Sequence, residues 1–347
     1  MQDLKGTIMN EIFELSPILK EEIDAVPNVI KQLLDDIVQK DTLKIPQVKL
    51  RKNYLQGLQT VILTASGSSY HTVKAMAHNA ELLYDIPTYA IHSKQLMNTR
   101  GILNKATLII AVSKTGNDND TVFAVKRALR NGAKVIGVTV KDSDLGALCK
   151  NYIEMSEECE SLCEFQEEYL ILSMLSLFIG SKKGIVPKLN TSLCVKLAQM
   201  LCGKLAFSNM SKSAINEAGS YITSFENTVF TGYSCDEALA KYIAQKFREY
   251  TNKPTFAVPI YEVEESCLEL EKTLIVPIIS NAAHLPLLLP IINNIKKQCP
   301  DTLIFTTESI AQEGEIKDGI LTVEDSIPLL NPIILSQALC NTVISNI

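Results

Sequence analysis

Two kinds of hydrophobic run alternate along the chain. Short continuous apolar stretches, such as KATLIIAVS at 105–113 and AKVIGVTV at 133–140, are apolar on both faces, the pattern of parallel strands covered by helices on either side. Between them lie longer segments with helical spacing, such as TVFAVKRALRNGA at 121–133, whose Val, Ala and Leu stripe ends near a glycine. The rhythm is βαβ and predicts a doubly wound α/β sandwich. Residues 1–45 carry no strand signal and predict helices packed on the first such sandwich; 190–224 predicts a long linking helix.

The pattern also repeats. The segment at 60–91, TVILTASGSSYHTVKAMAHNAELLYDIPTYAI, is matched at 228–258 by TVFTGYSCDEALAKYIAQKFREYTNKPTFAV: strand, polar turn, amphipathic helix, Pro-Thr-aromatic-Ala strand. KATLIIAVS then answers EKTLIVPIIS at 271–280, and AKVIGVTV answers DTLIFTTE at 301–308. The offset is roughly 167 residues, the period of a domain and not of a solenoid. The expected organisation is N-terminal helices over 1–45, one α/β domain over 46–189, and a linker helix with a second copy over 190–347.

Composition narrows the functional classes. Hydrophobic residues make up 46% and charged residues 21%, as in a packed globular protein. A net charge of -6 and a pI near 5.4 provide no basic stripe for a nucleic-acid backbone. The N-terminus is acidic where a secretory leader is basic, and the apolar run at 327–339 is too short and Pro-interrupted to span a bilayer, so a cytoplasmic protein without membrane or nucleic-acid partners is expected. The nine cysteines form no CxxC pair. Only Cys159 and Cys163 are close, at helical spacing, and neither a metal site nor a cofactor is expected.

The chemistry-bearing residues cluster after two strands. ILTA opens into Ser66, Gly67, Ser68 and Ser69, and TLIIAV opens into Ser113, Lys114, Thr115, Gly116 and Thr121. In open parallel sheets, ligands bind beyond the carboxyl ends of the strands. A phosphate there needs converging donors, which hydroxyls and the N–H groups of a helix start supply, while the helix dipole adds partial positive charge. Lys114 can add a charge-assisted contact. Such residues also serve as ordinary helix caps, and neither loop has a Walker A or GxGxxG pattern.

SGSSY followed some forty residues later by VSKTGNDNDT resembles the sugar isomerase (SIS) domain. The layout after residue 45 resembles two tandem SIS domains, as in the isomerase half of glucosamine-6-phosphate synthase and related aminosugar-phosphate deaminases and fructosamine-phosphate deglycases. The resemblance implies that Ser66, Gly67, Ser68, Ser69, Ser113, Lys114, Thr115 and Asp118 form the phosphate site. Three of these depart from the family pattern: Ser66 replaces a small Cys or Gly, Lys114 a Gln, and Asp118 a Thr. It places a general base at Glu249 in KFREYT, retains Glu262, puts Glu265 where a ring-opening His stands, and puts Cys267 at a Pro. In a segment often ending TKAF or TKGF, here FQEEYL, Glu167 takes the Lys position.

The implied chemistry is proton transfer between C1 and C2 of a phosphorylated keto or amino sugar, for which one carboxylate suffices. The alternative is a sugar-phosphate sensor or partner subunit that has lost the acid/base set; His284 is a possible substitute for the missing His. The family's tail lysine and glutaminase segment have no counterpart here, so glutamine-dependent synthesis is not expected. The resemblance also implies a homodimer with its site near the subunit interface, and the apolar run EYLILSMLSLFIG at 168–180 could serve either that interface or the core.

Overall fold

The computed structural model describes residues 2–99, 101–158, 162–205, 212–265 and 272–345; Cys159 and Cys267 lie outside the described residues. The chain divides into a first unit, Asn28–Glu160 with Glu164–Met200, and a second unit, Met1–Pro27 with Ser161–Cys163 and Leu201–Ile347. Helix α1 (Gln2–Ile37) therefore contributes to both units. Its second half buries Val29, Ile30, Leu33, Leu34 and Ile37 in the first, whereas in the second unit the Ile23 carbonyl accepts from the Gln337 side chain at 3.0 Å. A two-stranded ribbon comes next, β1 (Val38–Gln39) paired with β2 (Thr42–Leu43). Its loop residues Lys40 and Asp41 both have positive φ, the geometry of a tight hairpin turn. Lys-Asp lacks the Asn-Gly or Asp-Gly signature of that turn, which is why pattern alone yields only helix here.

In the first unit, α2 (Lys52–Gln56) leads into β3 (Thr60–Ala65), α3 (Ser69–Tyr84), β4 (Thr88–His92) and α4 (Ser93–Leu96). The chain continues through β5 (Thr107–Val112), α5 (Asn119–Arg130), β6 (Lys134–Thr139), α6 (Asp144–Leu148) and β7 (Asn151–Glu154) to α7 (Glu164–Lys183) and α8 (Lys188–Leu205). All five strands pair in parallel, in the order β4-β3-β5-β6-β7. Strands β3 and β5 are buried on both faces nearly throughout, as their unbroken apolar runs require. Helix α7 is buried from Glu164 to Gly180. The run at 168–180 is thus core of the first unit and presents no outward interface, because successive turns are apolar all round.

The second unit repeats the scheme with α9 (Lys212–Ser224), β8 (Asn227–Gly232), α10 (Cys235–Thr251), β9 (Thr255–Pro259) and β10 (Thr273–Ile279). It is completed by α11 (Leu285–Gln298), β11 (Ile304–Thr307), α12 (Glu308–Glu313), β12 (Ile320–Val323) and α13 (Asn331–Ile344). Its parallel order is β12-β11-β10-β8-β9. Counted from the first strand of each five-stranded sheet, both run 2-1-3-4-5. Equivalent hydroxyls even make equivalent bonds: Thr64 Oγ1 donates to the Ile91 carbonyl and Thr231 Oγ1 to the Val258 carbonyl, each at 2.7 Å. The sequence repeat is therefore a fold repeat, extended by a fifth strand in each copy. Residues 190–224, expected as one helix, are described as the end of α8 and as α9, with 206–211 outside the described residues.

Candidate active site at the first sheet's switch point

In a 2-1-3-4-5 sheet, the first and third strands are neighbours whose chains leave in opposite directions, which opens a crevice at their carboxyl ends. In the first unit these strands are β3 and β5. The two hydroxyl loops leave from them, so the fold brings together two segments that are far apart in sequence.

In the first loop, Gly67 has φ +59° and a Cβ there would meet open space. Its left-handed backbone lets the chain turn directly from strand into helix. Ser68 takes the cap position of α3 without using its hydroxyl as a cap, and the Tyr70 and His71 N–H groups of the first turn donate to the Gly67 and Ser68 carbonyls at 3.2 and 2.9 Å. Ser69 is buried and donates its hydroxyl to Glu168 Oε1 at 2.5 Å.

In the second loop, the buried Ser113 accepts the Gly116 N–H at Oγ, 3.1 Å away. Gly116, at φ +67°, sits so close to Ser143 and Thr139 that a Cβ would lie 2.3 Å from their side chains. Its carbonyl accepts the Leu145 N–H at 2.9 Å and the Asn117 side chain accepts the Asp144 N–H at 3.1 Å, which clamps the loop to the start of α6. Thr115 is exposed. Asp118 is the N-cap of α5: its carboxylate accepts the Thr121 N–H at 2.9 Å and the Thr121 hydroxyl at 2.6 Å. Burial pushes this carboxyl up, but the hydrogen bonds from Thr121, Ser66 and the Asp120 backbone outweigh it and hold it below its ordinary value. Asp118 thus acts on its own helix, a role its Asp-x-x-Thr spacing allowed but did not single out.

Two devices tie the loops together. Thr121 Oγ1 lies 2.9 Å from Ser93 Oγ and 3.5 Å from Ser66 Oγ, and Ser93 Oγ lies 3.3 Å from Thr64 Oγ1, a line of hydroxyls across the crevice. Below it stands the first turn of α7. Lys114 is only 10% exposed and its ammonium pairs with Glu167, 2% exposed, at 3.1 Å, while also donating to the Ser156 carbonyl. Glu167 also accepts the Ser156 N–H at 2.6 Å. Burial raises its pKa, with Lys114 as the largest opposing influence. Lys114, expected as a free charge for a ligand, is therefore committed to a carboxylate, and Glu167 at the family's Lys position is its partner. Sequence reasoning named Thr121 among the hydroxyls of the second loop but missed Thr64, Ser93, Glu164 and Glu168. The carboxylates had a signal: three acids opening an otherwise apolar helix that has no polar face to put them on.

The second unit's equivalent position is built differently. Ser234, two residues past β8, has φ +58°, matching Gly67 two residues past β3. Asp236 stands at the register of Ser69 and accepts the Ser280 N–H at 2.9 Å, where Ser280 follows β10 as Ser113 follows β5. Asp236 is fully buried, and burial pushes its carboxyl up to about 6. A carboxylate of the chain itself thus fills the seat that stays hydroxyl-lined in the first unit. His284 closes the same end, packing edge-on against Tyr233 with ring centres 5.0 Å apart.

The proposed acid/base residues all lie in the second unit. Glu249, near the end of α10, is 41% exposed, 3.4 Å from the Lys246 ammonium, and accepts from the Gln245 side chain at 2.7 Å. Glu262 ends a 3-10 turn after β9 and is exposed; Glu265, also exposed, donates its N–H to the Glu262 carbonyl at 3.2 Å. Among the described residues, no group of three His, Cys, Asp or Glu is placed to hold a metal ion, and no helix is long and apolar enough to cross a membrane.

Fold and crevice define a class, and comparison with known proteins agrees: residues 55–179 match the family described as SIS domain. Residues 55–179 thus carry a SIS domain match, and the chain resembles the isomerase portion of glutamine–fructose-6-phosphate aminotransferase (isomerizing). The enzyme of that name from Caldanaerobacter subterraneus is 22% identical over 322 residues, covering 90% of this chain and 53% of the relative. The chain thus spans about half the length of that curated relative. Among solved structures, the C-terminal domain of glucosamine-fructose-6-phosphate aminotransferase from Francisella tularensis superposes with a TM-score of 0.85 at 15% identity, covering 95% of both chains. Glucosamine-6-phosphate deaminase from Thermotoga maritima gives 0.68 at 16%, covering 95% of this chain. At these identities the structural likeness establishes the fold: two α/β units, each with a five-stranded parallel sheet.

Proposed function

We propose that the protein binds a phosphorylated sugar in the first unit and moves a proton between C1 and C2 of a keto or amino sugar 6-phosphate, as an isomerase, deaminase or deglycase. The observation that carries the reading is the convergence of two hydroxyl loops on neighbouring strands at the switch point, set against a second copy whose equivalent seat is filled by Asp236. Ser66, Ser68, Ser69, Ser113 and Thr115 supply hydroxyls, Gly67 lets the backbone approach, and the start of α3 supplies the positive end of a dipole. Lys114 contributes through its pair with Glu167 and Asp118 through the cap of α5. The names of the relatives, which concern fructose 6-phosphate and glucosamine 6-phosphate, support the substrate class.

For the chemistry, Glu249 is the base. Its carboxylate takes the proton from C1 of the ketose, leaving an enediolate that gains a proton at O2 and gives one up at O1, and returns the carbon-bound proton to C2, so no atom is gained or lost. Glu262 and Glu265 are the carboxyl groups available for ring opening. A second reading, a phosphosugar sensor without turnover, is favoured by the exposure of Glu249, Glu262 and Glu265 and by the engagement of Glu249 with Lys246 and Gln245.

Thermal denaturation with fructose 6-phosphate and glucosamine 6-phosphate, beside the unphosphorylated sugars, tests the binding site. Only the phosphorylated sugars should raise the melting temperature, and Ser69→Ala combined with Thr115→Ala should abolish the shift; an unchanged shift removes the phosphate assignment. Glu249→Gln should retain the shift and lose isomer or ammonia formation. Binding without turnover in the unaltered protein would establish the sensor.

A further inference from the structure

The buried carboxyl of Glu168 has no part in the proposed chemistry, yet it holds one of the hydroxyls assigned to the phosphate. We infer that Glu168 is a positioning residue that sets the donor direction of the Ser69 hydroxyl, so that binding of a phosphoryl dianion takes up a proton at Glu168. The inference rests on the proposed phosphate site.

One hydrogen bond and its proton count decide the direction. Ser69 Oγ and Glu168 Oε1 lie 2.5 Å apart with both residues buried. A hydroxyl has one hydrogen to give. When Glu168 is ionised it can only accept, so the Ser69 hydrogen points down toward α7 and the oxygen turns lone pairs toward the crevice. A dianion then meets an acceptor and, behind it, a buried negative charge. When Glu168 carries a proton it donates to Ser69 Oγ, and the Ser69 hydrogen is released to the crevice as a donor. One proton thus changes Ser69 from repelling a phosphate to binding it.

The surroundings favour the protonated state. Glu168 is completely buried; burial first, and then the charge of Glu164 one turn earlier, push its carboxyl up to about 8. Opposing them are the hydroxyls of Ser69 and Thr72 on α3 and the charge of Lys114 from the second loop, much of which Glu167 already balances. On α3, His71 also has a buried Nδ1. From α2, which also packs on α7, Tyr54 spends its hydroxyl on the Thr107 carbonyl at 3.0 Å. Where the resembled family segment has an alanine or glycine after its lysine, this chain has a buried titratable group bonded to Ser69.

The test is fructose 6-phosphate binding by calorimetry from pH 7 to 9.5, a range in which the ligand remains a dianion because its second ionisation lies near 6. Affinity should fall about tenfold between pH 8.5 and 9.5, and at pH 9 close to one proton should be taken up on binding, read from two buffers of different ionisation enthalpy. Glu168→Gln, whose amide can donate to Ser69 at every pH, should bind with no such fall. Ser69→Ala should bind more weakly and also lose the slope; a slope retained in Ser69→Ala would mean that Glu168 does not act through Ser69. Equal pH profiles in the unaltered protein and Glu168→Gln, or binding without proton uptake, overturn the inference while leaving the phosphate site in place. If fructose 6-phosphate binds no better than fructose at any pH, it is the phosphate reading that has failed. Should Glu168→Gln not fold, proton uptake by the unaltered protein still decides.

Discussion

Gly67 and Gly116 both have positive φ, yet their surroundings separate them. A Cβ at Gly67 meets nothing within 4 Å, whereas at Gly116 it would lie 2.3 Å from Ser143 and Thr139. Gly67→Ala should therefore cost only the left-handed backbone penalty of about 1 kcal/mol. Gly116→Ala adds the cost of forcing the loop off α6, for a loss of about 2–4 kcal/mol in denaturant unfolding. Equal costs would show that the clamp between the second loop and α6 is not rigid. At this scale the sequence made the hydroxyls legible, because Ser, Gly and Thr clusters after apolar runs mark strand ends. It did not reveal their partners. That Lys114 is paired and that Ser69 faces Glu168 depend on α7, whose first turn is some fifty to a hundred residues away in sequence.

Among the elements, α7 carries the largest electrostatic burden. An apolar helix has no polar face, so its opening acids Glu164, Glu167 and Glu168 are all buried. The second unit buries Asp236 in the first turn of α10. The folded protein holds protons on these groups more tightly than the unfolded chain does, up to about 8 for Glu168 against 4.5, and about 6 for Asp236 against 3.8. Their contribution to stability is thus fully present below about pH 4. It is lost as pH rises, through 6 for Asp236 and through 8 for Glu168, by on the order of a few kcal/mol in total. Denaturant midpoints measured from pH 5 to 9 should fall, and Glu168→Gln should remove the part of the decline above pH 7. A midpoint independent of pH in that range would mean that Glu168 is ionised in the folded protein. The pattern of residues marks α7 as a helix and its apolar run as buried. That the acids go in with it is a consequence of packing against α3 and the second loop, which helical period does not encode.

For the molecule as a whole, one duplicated fold carries two unlike crevices. Both sheets have the same strand order and left-handed turn residues at matching positions, but the first keeps Ser69 where the second has Asp236. Saturating fructose 6-phosphate should therefore slow amide exchange at 66–70 and 113–121 and leave 233–236 and 280–284 unchanged. Protection in the second set alone would move the site to the other unit.

The sequence by itself determined the two-copy α/β architecture and the two hydroxyl loops, because strand and helix periods, turn glycines and a domain-length repeat are local signals read along the chain. Only the tertiary structure decided that Met1–Pro27 groups with the second unit, that the run at 168–180 is core, and which side chain answers which charge in the crevice. The reason is physical: the pairing of buried polar groups is set by distances between elements remote in sequence, and burial makes each such pairing too costly to leave unmade.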